Sequence, residues 1–437
     1  MLSDKRCALV ARETFAAGAS RRRRRRPWWG FANMWGMLLV SLLIVNVASA
    51  RAPAAHQQRR TPASAGAAAR AAAAAALASA AAPSAPPPCL PLLRPGTLFG
   101  AQYSKPSGAA GNATDTLFAQ LAAKGATLLQ LSLPWADIET TPNQPNFLLI
   151  AELLHEAHAA GLTPLFQIAA IDTEHASVPA DLANPLDPTR LRSDLAWNST
   201  EVVDRFALLM EVVAPLAAFA GAPYIGVGNE VSVNLGLHPE TGYAFAEFLF
   251  IMRSWVKQLT TPTMGVGVTM TVGDLNSWAP PSTPPAWAET LLAIGDVTPL
   301  TYYPLRDDFS VDDPASIERT FEDALSVLPP SACLVLQELG CPSGYNNASS
   351  TDGSNQTVQA AFVTQMGKVL RGVNETRAVR AVSWFQLVDM TDTDCEGLTR
   401  YYNTTDPRFV EYLCTLGLVK NTGKPKSAWA TFLGAFV

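Results

Sequence analysis

Histidine is scarce in this chain of 437 residues: five occur, and they are scattered (His56, His155, His158, His175, His238). None of the six cysteines forms a Cys-x-x-Cys pair or stands at zinc-ligand spacing from a histidine. His155 and His158 share a helix face but read as ordinary surface or partly buried side chains. No metal and no cofactor is therefore expected. A glycine-rich phosphate turn after the first strand-like run is missing too, which removes the main signal of a dinucleotide fold. Basic residues are sparse beyond residue 95, where 18 stand against 35 acidic ones, a net charge of −17. Such a surface repels phosphate backbones and argues against a nucleic-acid partner.

The missing basic charge lies at the N-terminus. Residues 1–95 hold 14 of the 32 Lys and Arg, six of them consecutive (Arg21 to Arg26), with only Asp4 and Glu13 opposing. A basic run of this kind also occurs in nuclear signals, but its neighbour accounts for it better. Trp28 to Ala50 is a stretch of 23 uncharged, mostly apolar residues, long enough to cross a bilayer at about 20. Arginines on its N-terminal side would keep residues 1–27 cytosolic and send the rest across. A cleaved signal peptide is the competing reading, since Ala48-Ser49-Ala50 fits the small-x-small cleavage pattern. Both put the later residues in the secretory lumen or outside the cell, membrane-anchored (single-pass type II) in the first case and secreted in the second.

Six Asn-x-Ser/Thr sites agree: Asn112, Asn198, Asn347, Asn355, Asn374 and Asn403 all lie beyond the apolar segment. Five cysteines do as well (Cys89, Cys333, Cys341, Cys395, Cys414), an odd number that allows at most two disulfides among them. Cys341 reads as a disulfide cysteine, with its partner open. Residues 51–95 are alanine- and proline-rich, lack the large apolar side chains a core needs, and read as a stem.

From residue 96 to 437, short apolar runs alternate with longer amphipathic stretches. The runs are 97–103, 126–135, 162–172, 223–230, 263–270, 296–303, 333–338 and 381–389. Helix-like segments stand at 114–125, 147–161, 199–221, 244–259, 314–328, 357–373 and 427–436. Strands alternating with helices predict parallel βα units. Eight strands close a (β/α)8 TIM barrel, so the expected fold class is α/β with that barrel behind the membrane segment and stem. An open doubly wound sheet is the alternative.

Two runs end in a carboxylate where the chain looks buried. "YIGVGNEV" carries Asn229-Glu230 at the end of the fourth, and "CLVLQELGCPSG" carries Glu338 at the end of the seventh. A buried charge is costly unless paired or put to use. In a (β/α)8 barrel both strand ends face one mouth, where the chemistry sits. Two carboxyls about 5–5.5 Å apart suit retaining glycoside hydrolysis. The plain alternative for each is a structural carboxylate, capping a helix or pairing with a lysine.

These motifs resemble those of the clan A glycoside hydrolases, retaining (β/α)8 enzymes. "GVGNEV" is similar to their acid/base motif and "LVLQELGCPSG" to their nucleophile strand; "TYYPL" and "VSWFQLVD" resemble the sixth-strand tyrosine and eighth-strand aromatic motifs. The resemblance covers about residues 97–437. It implies a β-linked glycan substrate, Glu230 as acid/base and Glu338 as nucleophile. It further implies Asn229 at the sugar 2-hydroxyl, Tyr302 or Tyr303 holding the nucleophile, and Trp384 at the site. A second-strand arginine that many members carry is absent; Gln130 stands in that run. Beside the resemblance, Trp135, Trp278 and Trp384 lie near strand ends as candidate sugar platforms, with core packing as the plain alternative. Asp172 and Asp389 are candidates for binding hydroxyls, or for capping and rim hydrogen bonds.

Two other classes fit parts of the sequence. A type II anchor with a Pro/Ala stem is also the layout of Golgi glycosyltransferases, and Asp392 to Asp394 (Asp-Thr-Asp) could be read as a metal-nucleotide motif. A glycan-binding barrel without catalysis is the third reading. Membrane topology is directly testable: in sealed microsomes, protease should spare residues 51–437, and deglycosylation should lower the apparent mass. Digestion of an unglycosylated C-terminal part would overturn the secretory assignment.

Overall fold

The computed structural model describes residue 89 and residues 97–103, 113–260, 264–306, 308–344, 354–401, 404 and 406–436. The expected membrane segment, Trp28 to Ala50, and nearly all of the stem lie outside them. So do Asn112, Asn347 and Asn403. Among the described residues no helix is long and apolar enough to cross a membrane.

Eight strands form the centre: β1 Leu98–Gln102, β2 Leu128–Pro134, β3 Thr163–Ala169, β4 Tyr224–Gly226, a divided β5 (Gly265–Gly267 and Met270–Thr271), β6 Thr298–Tyr302, β7 Leu334–Leu339 and β8 Val379–Trp384. All pairings between them are parallel. The first piece of β5 pairs with β4 and the second with β6. The two ends of the sheet are thus parts of one strand, and the sheet closes. This rules against the open doubly wound alternative and gives the expected (β/α)8 barrel. Helices were not expected at Val272–Ser277, Ala286–Ile294, Asp392–Tyr401 or Pro407–Cys414. These are short, or fall in Pro-, Ser- and Asp-rich stretches without a clear apolar period.

Alternation along each strand sorts side chains between barrel interior and helical shell. Leu98, Leu128, Leu165, Tyr224, Val297, Cys333, Val335 and Ala381 fill the interior at its N-terminal end. Above them the filling turns polar. Gln167 on β3 accepts from Thr269 (3.0 Å) and from Gln337, and donates to Ser132 (2.9 Å), while Tyr224 donates to Gln337. Gly226 makes room for this layer, because a Cβ there would lie 2.7 Å from the Gln167 side chain.

Outward-facing residues pack under the helices. Trp135 meets Phe206 edge-on at 4.9 Å, and Trp384 meets Phe432 at 5.8 Å and Phe362 at 6.0 Å. Arg205, buried in helix Thr200–Phe219, pairs with Glu139 (2.7 Å) and with Asp181. The charges and the fork of donors satisfy one another, as burial requires.

Two disulfides form among the five cysteines, the most their odd number allows. Cys89–Cys333 joins the chain ahead of β1 to the base of β7, and Cys395–Cys414 staples two helices beyond β8. Cys341 is free and buried, contrary to the expectation of a bridge there. Cys89–Cys333 spans 244 residues, and closing so long a loop removes much freedom from the unfolded chain, a stabilisation of about 2–5 kcal/mol. Cys89→Ser should therefore lower the melting temperature by several degrees. Under non-reducing denaturation, peptide mapping should find Cys341 alkylated and Cys89, Cys333, Cys395 and Cys414 bridged. Alkylation of Cys89 or Cys333 would overturn the pairing.

Candidate active site

Glu230 stands where the chain turns from β4 into helix Val231–Leu237, in a left-handed conformation (φ 44°, ψ 41°). For a side chain other than glycine this costs about 1–3 kcal/mol and persists only where the surroundings impose it. They do so through the backbone. Asn229 N donates to Ile171 O (2.8 Å), Thr173 N donates to Asn229 O (3.0 Å), and Val231 N donates to Thr269 O (2.9 Å). Thr173 is left-handed as well (φ 55°). Its hydroxyl donates to Glu230 Oε2 (3.1 Å), and Thr301 on β6 donates to Oε1 (2.6 Å).

Glu338 reaches the same mouth by another device. Leu336 pairs with Leu300 but Glu338 with Thr301, so Gln337 is an extra residue on β7. Such a bulge breaks the alternation. Gln337 bonds Tyr224 in the interior, and Glu338, next in the chain, accepts from Tyr303 (2.8 Å). Thr301, which bonds Glu230, is the strand neighbour of Glu338. The structure thus brings together two carboxylates that are 108 residues apart in the chain.

Both are buried, and burial is the main reason their carboxyls are hard to ionise. Glu230 is held well above the usual range by burial and then by the Glu338 charge; the two threonine hydroxyls oppose this, and Asp172 adds to it. Glu338 is pushed up to about 8 by burial, with Asp172 adding and Tyr303 and Asn229 opposing. Two like charges in one buried place oppose each other, so the first proton lost from the pair makes the second harder to lose. Asn229 donates to Asp172 (3.2 Å), while its Oδ1 is buried with no protein partner. Buried, unpartnered atoms also occur on Gln102, Gln130, Ser383 and Gln386.

The structure separates the remaining expected residues. Of the two tyrosines, Tyr303 faces the carboxylates, whereas Tyr302 points outward onto Phe321 (4.9 Å) and Phe362 (5.9 Å), so it is a packing residue. Trp384 and Trp135 are fully buried and are no sugar platforms: their indole N–H groups bond Leu416 O (2.8 Å) and Glu139 (2.8 Å). Ser383 and Phe385, the neighbours of Trp384, take the inward positions instead. Trp278 is half-buried and packs edge-on against Trp287 (5.8 Å) of an outer helix. Asp389 is held by Lys426 (2.6 Å) and Gly417 N (2.9 Å), a rim role beside a separate cavity. Asp172 does lie with the pair. Sequence reasoning missed Thr173, Thr301 and Gln337. Thr301 was within reach, two residues before Tyr303 on the same face; the bulge and the left-handed turn leave no such signal.

Of the possible glycan acceptors, Asn355 and Asn374 are exposed, while Asn198 Nδ2 donates to Glu247 (2.9 Å). Among the described residues, no group of three or more His, Cys, Asp and Glu could hold a metal ion.

No family model and no curated protein matches the chain. Solved structures do. An exo-β-1,4-mannosidase from Opitutaceae bacterium strain TAV5 is 16% identical with TM-score 0.55, over 78% of this chain and 59% of that one. This chain spans about three fifths of that protein's length. A GH5_18 variant from Streptomyces cattleya, in complex with Manβ1-4GlcNAc, is 18% identical with TM-score 0.55, over 78% of this chain and 79% of that one. Fungal β-1,4-galactanases follow at 14% identity and TM-score 0.50, over 77% of this chain and 99% of theirs. At these identities the likeness establishes the fold: this chain has the barrel found in those proteins.

The buried pair has a measurable cost. Between its ordinary value of 4.5 and about 8, folded Glu338 keeps a proton that the unfolded chain has released. The folded state then binds more protons, so stability falls as pH rises through that window. Glu338→Gln should lessen the fall in melting temperature between about pH 5 and pH 8, leaving the part that Glu230 contributes. A slope equal to that of the wild type would mean Glu338 is already ionised in the folded protein.

Proposed function

We propose that this chain is a retaining O-glycosyl hydrolase or transglycosylase acting on a β-linked glycan by double displacement. The observation that carries this reading is the buried, charge-coupled pair Glu230 and Glu338 at one barrel mouth, with unequal surroundings. Unequal surroundings let one carboxyl of such a pair keep its proton as the acid while the other ionises as the nucleophile. The Glu338 carboxylate attacks the anomeric carbon while Glu230 protonates the departing glycosidic oxygen, leaving a covalent glycosyl-Glu338 ester and a free aglycone. Glu230, now ionised, takes a proton from water or an acceptor hydroxyl. That oxygen attacks the anomeric carbon, and Glu338 leaves as carboxylate. Tyr303 holds Glu338 in line, and Asn229 is placed to meet the sugar 2-hydroxyl. The structures of similar fold are named for β-1,4-mannoside and β-1,4-galactan substrates, so β-mannosides and β-galactans are the first substrates to try. A lumenal or extracellular setting belongs to the proposal, since the two disulfides need an oxidising compartment to persist.

A 2-deoxy-2-fluoro glycoside with a good leaving group should inactivate the protein and label Glu338, read by peptide mass spectrometry. Glu230→Ala should still release activated aryl leaving groups and should be rescued by azide, while Glu338→Ala should lose turnover about 10⁴-fold or more. In kcat/KM, activity should rise with pH as the first carboxyl of the pair ionises and fall as the second loses its proton. Activity requiring a nucleotide sugar and manganese would favour a glycosyltransferase, and saturable glycan binding without turnover an inactive barrel. Full activity in both glutamate variants would overturn the mechanism.

A further inference from the structure

A second cavity, about 210 Å³ in volume, lies among the chain segments that follow β7 and β8. Packed aromatic side chains lie between it and the carboxylate pair. Tyr303, which bonds Glu338, meets Tyr412 edge-on at 5.5 Å, and Cys414 and Thr415, just beyond Tyr412, line the cavity.

The cavity floor is built rigidly. Lys426 Nζ is buried and donates to Asp389 (2.6 Å), to Ser343 Oγ (2.7 Å) and to Thr415 O (3.0 Å). Lys420 and Asp392 also line the cavity. Two cations and two anions leave no net charge, so the lining selects neither an anion nor a cation. Hydroxyls and amides make up much of the rest, and Met390 with the Cys395–Cys414 bridge supplies an apolar face. One of those hydroxyls, Ser354 Oγ, is only 5% exposed at the residue level and has no hydrogen-bond partner in the protein. It lies within the lining, so a larger side chain at this position would project into the cavity. Neutral donors and acceptors beside an apolar face match a neutral sugar, which presents hydroxyls at its rim and C–H groups on its faces.

We propose that this cavity is an accessory saccharide subsite, taking one neutral sugar residue of a longer β-linked glycan whose scissile bond lies at Glu230 and Glu338. The proposal rests on the glycosidase reading, and its test separates the two. Ser354→Leu fills the cavity and Asn421→Ala removes an amide from its lining; neither touches the carboxylate pair. With 4-nitrophenyl β-mannoside both variants should match the wild type within about twofold, while with β-1,4-mannohexaose KM should rise about tenfold at unchanged kcat. Equal effects on both substrates, or none on either, would overturn the subsite. If the wild type turns over no glycoside, the glycosidase reading fails by itself. Calorimetric binding of β-1,4-mannohexaose then decides the subsite, which stands only if Ser354→Leu weakens it about tenfold. Asn355 also lines the cavity and heads an Asn-Gln-Thr sequence. A glycan on Asn355 whose removal by Asn355→Gln opens the cavity to mannohexaose would overturn the proposal too, by showing that the chain's own sugar fills it.

Discussion

The structure depends on holding two carboxyl groups together in a place where water cannot screen them. Glu230 and Glu338 are each buried, and each raises the cost of ionising the other. Nothing in a barrel core favours that arrangement on its own. It persists because both side chains sit on closed, rigid strands and because hydroxyls are aimed at them: Thr173 and Thr301 at Glu230, Tyr303 at Glu338. The polar layer beneath, from Tyr224 through Gln337 and Gln167 to Ser132, extends the same logic downward. Hydrogen bonds replace the apolar filling a barrel interior ordinarily has, and they surround the charges with groups that can respond to them.

Two departures from regular backbone geometry set the pair. The left-handed turn at Glu230 joins the segment after β4 to helix Val231–Leu237, with the carboxyl held by Thr173 and Thr301. The bulge at Gln337 lets two consecutive residues serve the interior, one for the polar layer and one for the mouth. Ideal strands would have placed only one of them there. Strain is thus concentrated at the chemistry, where the surrounding hydrogen bonds offset it.

These departures mark the limit of what the sequence made legible. All eight strands were readable, because parallel strands buried on both faces appear as continuous apolar runs. Strand order then brought Glu230 and Glu338 to one end. Inward and outward facing was harder to read. Tyr302 and Tyr303 looked equivalent until β6 was seen to place Val297 and Thr301 in the interior, which carries Tyr303 inward with them. Trp384 misled for the same reason: Ala381 on the inner side makes Ser383 and Phe385 the inward residues, so the tryptophan belongs to the shell. Chemical character alone favoured the tryptophans, yet large aromatics are as useful for packing helices as for stacking sugars. Cysteine pairing was out of reach, since Cys89 and Cys333 meet only once the barrel closes.

That last bridge also orients the molecule. Cys333 belongs to the apolar filling at the end of the barrel remote from the carboxylates, and Cys89 packs against the same cluster while Arg380 donates to its sulfur and carbonyl. Cys89 is therefore tied to the floor of the domain. An attachment made at that point leaves the opposite end, with Glu230 and Glu338, uncovered. A bulky polymer could approach the open end without competing with the attachment for space.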